Sequence, residues 1–311
     1  MDVLVTGGAG FIGSHLCDAL IAGGNRVAIV DNLSTGKREN IAGAVEAGAE
    51  LYVADVREQE SIQAIFNSVS PEVVFHLAAQ VDVRKSGNDP ASDANVNVVG
   101  TVNLLHCSQL HSTRRFVMVS TGGAIYGENS GIPVTEASNT SPLSPYGQSK
   151  LAAEGYVEYF DRTSDVSGVT LRLGNVYGPR QDPHGEGGVV AIFCQRLREG
   201  EPPTVFGTGE QTRDFIYVKD VIAAILAAGS SNAVGPFNVG TGEETSILDL
   251  IKLLKLDQRG DLKPVFEPAR AGEVKRIAID SSRARNELGW QATTELQSGL
   301  QLAFENLQAR A

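Results

Sequence analysis

TGGAGFIG, residues 6–13, closes the short apolar run Val3–Thr6 and opens an amphipathic stretch, so it reads as a turn from a strand into a helix. Gly7, Gly10 and Gly13 stand three apart. Gly7 suits a tight turn, Gly10 leaves room for a phosphate to approach the backbone, and Gly13 lets helix and sheet pack closely. Phe11 and Ile12 begin the helix, whose N-terminus then faces a pyrophosphate. Asp31 follows at the end of the second strand, where a carboxylate accepts from adenosine ribose hydroxyls and repels a 2′-phosphate. NAD is therefore expected rather than NADP. Lys37 and Arg38 read as solvated loop cations. Asp55 and Val56, after the third strand, are placed to meet the adenine, with Asp55 alternatively a helix cap.

Outward from this turn, the β-branched runs Val27–Val30, Leu51–Val53, Val73–Leu77, Phe116–Ser120 and Val169–Leu173 alternate with helical patterns over Phe11–Gly23, Glu58–Asn67, Asp89–Leu110 and Tyr146–Thr163. Six runs with helical spacers predict an α/β fold, a Rossmann-type doubly wound parallel sheet. Beyond Asn175 the connections become rich in Gly and Pro, as in GPRQDPHGEGG. The expected division is a dinucleotide-binding domain over residues 1–174 and a smaller α/β substrate domain over residues 175–311. Residues 214–240 read as a helix and strand that rejoin the first sheet.

No apolar run is long enough to span a bilayer, and the opening MDVLVTGG lacks a secretion signal, so no membrane association and a cytoplasmic location are expected. The formal net charge of -11 argues against a nucleic-acid partner. Cys17, Cys107 and Cys194 are far apart, without metal or disulfide spacing, and read as buried small hydrophobes. No metal site is expected. His76, ending a buried-looking strand, reads as a satisfied core histidine.

Tyr146 and Lys150, in SPYGQSK, lie four apart on one helical face. A free tyrosine has a pKa near ~10, so a tyrosine base at neutral pH needs its phenolate stabilised by ~4 kcal/mol. A nearby ammonium and a positive nicotinamide have the right sign. Ser120 and Thr121 end the fifth strand, at the sheet edge where open α/β sheets bind ligands, and a hydroxyl there can contact a substrate oxygen that loses its proton.

With TGGAGFIG, DNLSTGK, HLAAQ, STGGAIYG, YGQSK, RLGNVYGPRQDP, TRDFIYVKD and RAGE in this order, the chain resembles the extended short-chain dehydrogenase/reductase family, and within it the UDP-hexose 4-epimerases. The resemblance implies that Tyr146 is the base and that Lys150 is its partner on the nicotinamide ribose. It implies cofactor contacts at Asn32, Ser34, Thr35, Gly36, Leu77, Ala78, Ala79 and Gln80, with Asn97 bracing the strand ends. For a UDP-sugar it implies Asn175, Gly188, Val189, Thr204, Val205 and Phe206, two phosphate-holding arginines at Arg213 and Arg270, and Glu273 at the uridine ribose. Ile277 would stand beside the hexose. One position departs from the pattern: counting back from Tyr126, the family hydroxyl falls on Gly122, so Thr121, Ser120 or a water must replace it.

The activity implied is NAD-dependent interconversion of UDP-glucose and UDP-galactose through a 4-keto intermediate, in a homodimer packed through the helices at 89–110 and 146–163. UDP-glucuronate and UDP-N-acetylglucosamine 4-epimerases remain alternatives, whereas Gly123-Ala124 stand where a dehydratase or decarboxylase carries acids. A non-catalytic, NAD-responsive binding protein is the alternative of another class.

Overall fold

Strands that read as continuous apolar runs need cover on both faces, and the computed structural model supplies it; residues 1–128, 131–184, 188–255, 263–269 and 274–309 are described. In chain order the first half contains β1 (Asp2–Thr6), α1 (Phe11–Ala22), β2 (Arg26–Val30), α2 (Ala42–Glu46), β3 (Glu50–Tyr52), α3 (Gln59–Val69), β4 (Val73–His76), α4 (Val83–Asn88), α5 (Pro90–Ala94), α6 (Gly100–Leu110), β5 (Arg115–Thr121), α7 (Gly122–Ile125), α8 (Pro145–Thr163) and β6 (Ser167–Leu173). The second half adds β7 (Asn175–Tyr177), α9 (Val189–Glu199), β8 (Thr204–Phe206), β9 (Thr212–Arg213), β10 (Phe215–Tyr217), α10 (Val218–Ser230), β11 (Gly235–Val239), β12 (Thr245–Ser246), α11 (Ile247–Lys255), β13 (Val265–Glu267), α12 (Ser282–Leu288) and α13 (Leu296–Ala309).

Seven parallel strands form the central sheet in the order β11-β6-β5-β4-β1-β2-β3. The order turns around between β1 and β4, which opens a crevice above their carboxyl ends. All six strand runs read from the sequence lie in this sheet, and β11 joins it beside β6 after the helix α10. The alternation of a strand sorts its side chains between two cores: Val3 and Val5 pack with Leu16, Leu20 and Ile225, while Leu4 packs with Phe66, Leu104 and Phe116 on the opposite face.

The single helix expected over 89–110 is interrupted. Between α5 and α6, residues Asn95–Val99 form a π turn. Gly100 lies so close to Val56 that a Cβ would fall 2.6 Å from its Cγ2, and Thr101 donates its hydroxyl back to the Asn97 carbonyl at 2.6 Å. Such single wide turns often accompany functional side chains, and here the turn carries the buried Asn97.

The second half pairs β7 with β10 and β8 with β13 in parallel, and β9 with β12 antiparallel. Its tail is pinned to α10: Trp290 donates to the Asp220 carbonyl at 2.9 Å, and the Asp220 carboxylate accepts from Thr293 and Thr294. No helix among the described residues is long and apolar enough to cross a membrane.

Candidate active site

At Gly7 the backbone takes φ +70°, and a Cβ would stand 2.6 Å from the amide nitrogen of Ala78; at Gly13 a Cβ would stand 2.1 Å from the Gly7 carbonyl. Only hydrogen fits either place. Above Gly10 the nearest atom to a Cβ is the Gly7 carbonyl at 3.2 Å, so the approach to the first turn of α1 is open. Gly10 caps that helix without a side-chain acceptor, leaving Phe11 and its neighbours to face an external anion. Asp31 is buried just past β2 and accepts from Ala9 N at 2.9 Å and Leu33 N at 2.8 Å, one bond on each oxygen. Each oxygen retains a lone pair for a ribose hydroxyl. These residues fit the dinucleotide expected from the sequence.

Along the same edge, Asn32 donates to Asp55 at 2.8 Å and accepts from Ser34 N, and Thr35 and Gly36 continue the loop. Asp55 does not cap α3, which starts after Glu58. Arg57 clasps its carboxylate instead at 2.9 and 2.8 Å, and this pairing holds the carboxyl far below the usual range. Val56 is buried beneath Gly100. After β4, Leu77 N reaches the Thr6 carbonyl and Ala78 N reaches its hydroxyl, which carries Ala79 and Gln80 over the crevice. Gln80 N then donates to Asn97 Oδ1 at 2.8 Å, while Asn97 Nδ2 donates to Ser149 at 3.0 Å. Asn97 thereby joins the β4 loop to α8.

His76 bonds Thr6 at 2.8 Å and Thr101 at 2.9 Å, one hydroxyl on each ring nitrogen. Burial, aided by Lys150, lowers its pKa to about 3, so it is a neutral core residue. The three cysteines are free and buried, and burial pushes Cys17 and Cys194 up to about 12.

Ser144 starts α8 by accepting from Gly147 N, and Pro145 takes the first helical position, where no amide hydrogen is needed. Tyr146 and Lys150 then fall on one face, Lys150 buried and Tyr146 half-buried. The Thr121 hydroxyl lies beside the Tyr146 phenol and acts to lower its pKa. At Gly122, by contrast, a Cβ would lie 2.9 Å from Ile279 Cδ1, so a side chain there would enter the core. Ser120 also points elsewhere: it donates to the buried Glu154 carboxylate. Of the three positions weighed for the family hydroxyl, Thr121 alone stands at the phenol, because Ser120 is engaged by Glu154 further along α8.

Burial pushes the Tyr146 phenol up to about 12, against a lowering hydrogen bond from Thr121 and with a further rise from Asp93. Burial also brings the Lys150 ammonium down to about 8, opposed by Glu154 and Asp93. Lys150 alone therefore does not ionise the phenol. In a water-poor site the desolvation of two charges outweighs their attraction, and a further positive group is required.

The distal residues form a second group. Asn175 opens β7, and a Cβ on Gly123 would lie 3.5 Å from its Oδ1 and 3.8 Å from Thr121 Oγ1, so Asn175 borders the tyrosine site. Gly188 and Val189 start α9; Thr204, Val205 and Phe206 make β8, with Val205 buried; Arg213 lies on β9. Arg270 and Glu273 lie outside the described residues. Ile277 is buried with Ile125, Tyr126, Val134 and Ile279. The loop from Pro179 ties this half to the first: His15 donates to the Pro179 carbonyl at 2.8 Å, Arg180 pairs with Asp18 at 2.7 Å, and Lys37 pairs with Asp182 at 3.1 Å. Lys37 is therefore not merely solvated.

Sequence reasoning missed the polar layer behind the pair. Arg172, on β6, binds Glu154 through 2.7 and 3.0 Å contacts and donates to Tyr126, whose hydroxyl donates to Asn238 on β11 at 2.7 Å. Its trace in the sequence was an acid one further turn along the Tyr146–Lys150 face.

The fold and site define a dinucleotide-dependent enzyme of the Rossmann class with a tyrosine–lysine pair. The NAD dependent epimerase/dehydratase family model matches residues 3–240, and the chain belongs to that family. It is 42% identical over 307 residues to a UDP-glucose 4-epimerase of Mycolicibacterium smegmatis, covering 98% of each chain. It superposes with a TM-score of 0.97 and 45% identity on the UDP-glucose 4-epimerase of Thermotoga maritima crystallised with UDP-glucose, covering 100% of this chain and 99% of that one. The Thermus thermophilus UDP-glucose 4-epimerase, crystallised with NAD, gives a TM-score of 0.92 and 38% identity, with 100% of both chains covered.

Proposed function

We propose that this protein is an NAD-dependent UDP-hexose 4-epimerase that interconverts UDP-glucose and UDP-galactose. The observation that carries the reading is the convergence of Tyr146, Lys150 and the Thr121 hydroxyl at the carboxyl end of β5, beside a glycine cradle that fits a dinucleotide. The near-full-length likeness to UDP-glucose 4-epimerases supports the substrate. Residues 1–174 with 214–240 hold the cofactor, and the remainder of 175–311 holds the nucleotide sugar.

Gly7, Gly10 and Gly13 admit the pyrophosphate at α1, and Asp31 receives the adenosine ribose. Bound NAD supplies a reversible two-electron acceptor for C4 of the hexose and, when oxidised, a positive ring that favours the phenolate. Tyr146 takes the proton of the 4-hydroxyl and returns it to the same oxygen after the sugar has turned its other face, so the proton balance of a full cycle is zero. Thr121 orients that oxygen. Lys150 steadies the phenolate and the nicotinamide ribose. Arg213, with Arg270, grips the diphosphate, leaving the hexose free to rotate at Asn175.

The protein works as a cytoplasmic homodimer packed through α6 and α8, which present Leu110, Tyr156 and Tyr159 to solvent. Incubation with UDP-galactose and no added NAD, followed by product identification at C4, tests the activity. A fixed ratio of UDP-glucose to UDP-galactose is expected from either starting sugar; unchanged UDP-galactose rejects the reading and leaves a binding protein.

A further inference from the structure

Two buried carboxylates flank Lys150, and their surroundings differ. Glu154, one turn further along α8, is occupied on both oxygens: Arg172 binds it at 2.7, 3.0 and 3.3 Å, and Ser120 donates to it. Its charge is matched by a guanidinium from the neighbouring strand. Asp93, on α5, is only 1% exposed and has no such match among the described residues. Its Oδ1 accepts from Gln80 Nε2 at 2.7 Å and Asn97 Nδ2 at 3.3 Å, whereas Oδ2 accepts no hydrogen bond among the described residues. Asn97 Nδ2 also donates to Ser149, the residue before Lys150. Asp93 is thereby held against the turn of α8 that carries the lysine.

A buried carboxylate with an unpartnered oxygen either finds a cation or takes up a proton. The groups facing Lys150 leave one arrangement. From α8 come Tyr146 and Glu154, and from β4 comes His76, which is neutral with both nitrogens engaged. From β6 comes Arg172, already bound to Glu154; from β5 come only the hydroxyls of Ser120 and Thr121. Asp93 is the remaining charge.

We infer that Asp93 is a positioning residue for the reaction, the fixed counter-charge that keeps Lys150 an ammonium inside the closed site and so sets the pH window in which Tyr146 can work. The inference rests on the tyrosine–lysine reading above. A fixed charge suits an epimerisation: the proton taken from the sugar goes back to it, so the site needs no relay to solvent. The same carboxylate opposes ionisation of Tyr146, which reserves the phenolate for the moment when a positive group is present.

Asp93→Asn keeps the shape and the Oδ1 acceptor but removes the charge. Lys150, which burial already brings to about 8, then loses one of the two carboxylates supporting its ammonium. Turnover of UDP-galactose measured from about pH 6 to 10 should show the alkaline limb displaced by about 1 unit to lower pH. The acid limb should move in the same direction, since Asp93 acts on phenol and ammonium with one sign. A purely structural role would lower the plateau and leave both limbs in place, and unmoved limbs overturn the inference. Asp93→Glu should restore the wild-type limbs. If Asp93→Asn does not accumulate folded, Asp93→Ser is read in the same way. A readout without turnover separates this inference from the epimerase reading: ultraviolet titration of the phenol, taken as the difference between each protein and its Tyr146→Phe partner. Tyr146 should ionise at lower pH in Asp93→Asn than in the wild type even if UDP-galactose proves not to be the substrate, and equal titration overturns the counter-charge.

Discussion

His76 and Lys150 are both buried at the carboxyl ends of the central strands, close enough for the ammonium to depress the imidazole, yet the chain treats them in opposite ways. Around His76 every polar atom has a neutral partner, Thr6 on one nitrogen and Thr101 on the other. Around Lys150 the charged neighbours are two carboxylates, Glu154 and Asp93, and one turn back on the same helix stands a phenol whose own ionisation is suppressed by burial. A buried titratable group whose hydrogen bonds close on neutral neighbours has been made structural. One left among opposed charges, with a carboxylate oxygen unpartnered, has been kept ready for another molecule.

The contrast can be broken at three strengths. Tyr146→Phe removes the hydroxyl proposed to exchange a proton with the sugar and should cost about 10²- to 10⁴-fold in turnover. Its NAD content, measured by absorbance after denaturation, should be unchanged; near-normal turnover would contradict the role. Next, Arg172→Met strands Glu154 as an uncompensated buried charge and should destabilise the fold by about 3–5 kcal/mol, read by urea denaturation at pH 7. A loss below about 1 kcal/mol would mean that the layer behind Lys150 carries little of the fold. The smallest effect belongs to His76. Its folded pKa of about 3 lies below the unfolded value of 6.5, so between those two the unfolded chain binds a proton that the folded one does not. Stability should therefore fall as pH drops through this window, by up to about 1.4 kcal/mol per pH unit from this residue. His76→Leu should flatten the slope without abolishing turnover; an unaltered slope would place the protonation elsewhere.

The Rossmann half was legible because its rules are local. Glycines three apart after an apolar run allow one turn, and Asp31 follows at the distance the second strand dictates. The helix over 89–110 was legible in extent but not in its π turn, which depends on Gly100 meeting Val56 from another element. Among the site residues, Tyr146 and Lys150 were singled out by their spacing together with the glycine turn and the hydroxyl-ended fifth strand before them, while the helix-cap alternative for Asp55 fails because Arg57 comes within reach of its carboxylate only in the folded loop.

By itself, then, the sequence determined the sheet and marked out the candidate dinucleotide cradle and the proposed reacting pair, since each rests on periodicity or on the order and spacing of short motifs. Only the tertiary structure decided which hydroxyl meets the phenol and in which direction the surroundings shift the pair. Thr121 rather than Ser120 follows from where each meets α8, the one at Tyr146 and the other at Glu154. The protonation of Tyr146 and Lys150 follows from desolvation and from Asp93 and Glu154, groups brought from separate helical turns. Electrostatic energies depend on distances across the fold and on the exclusion of water, and neither quantity is written in the order of residues.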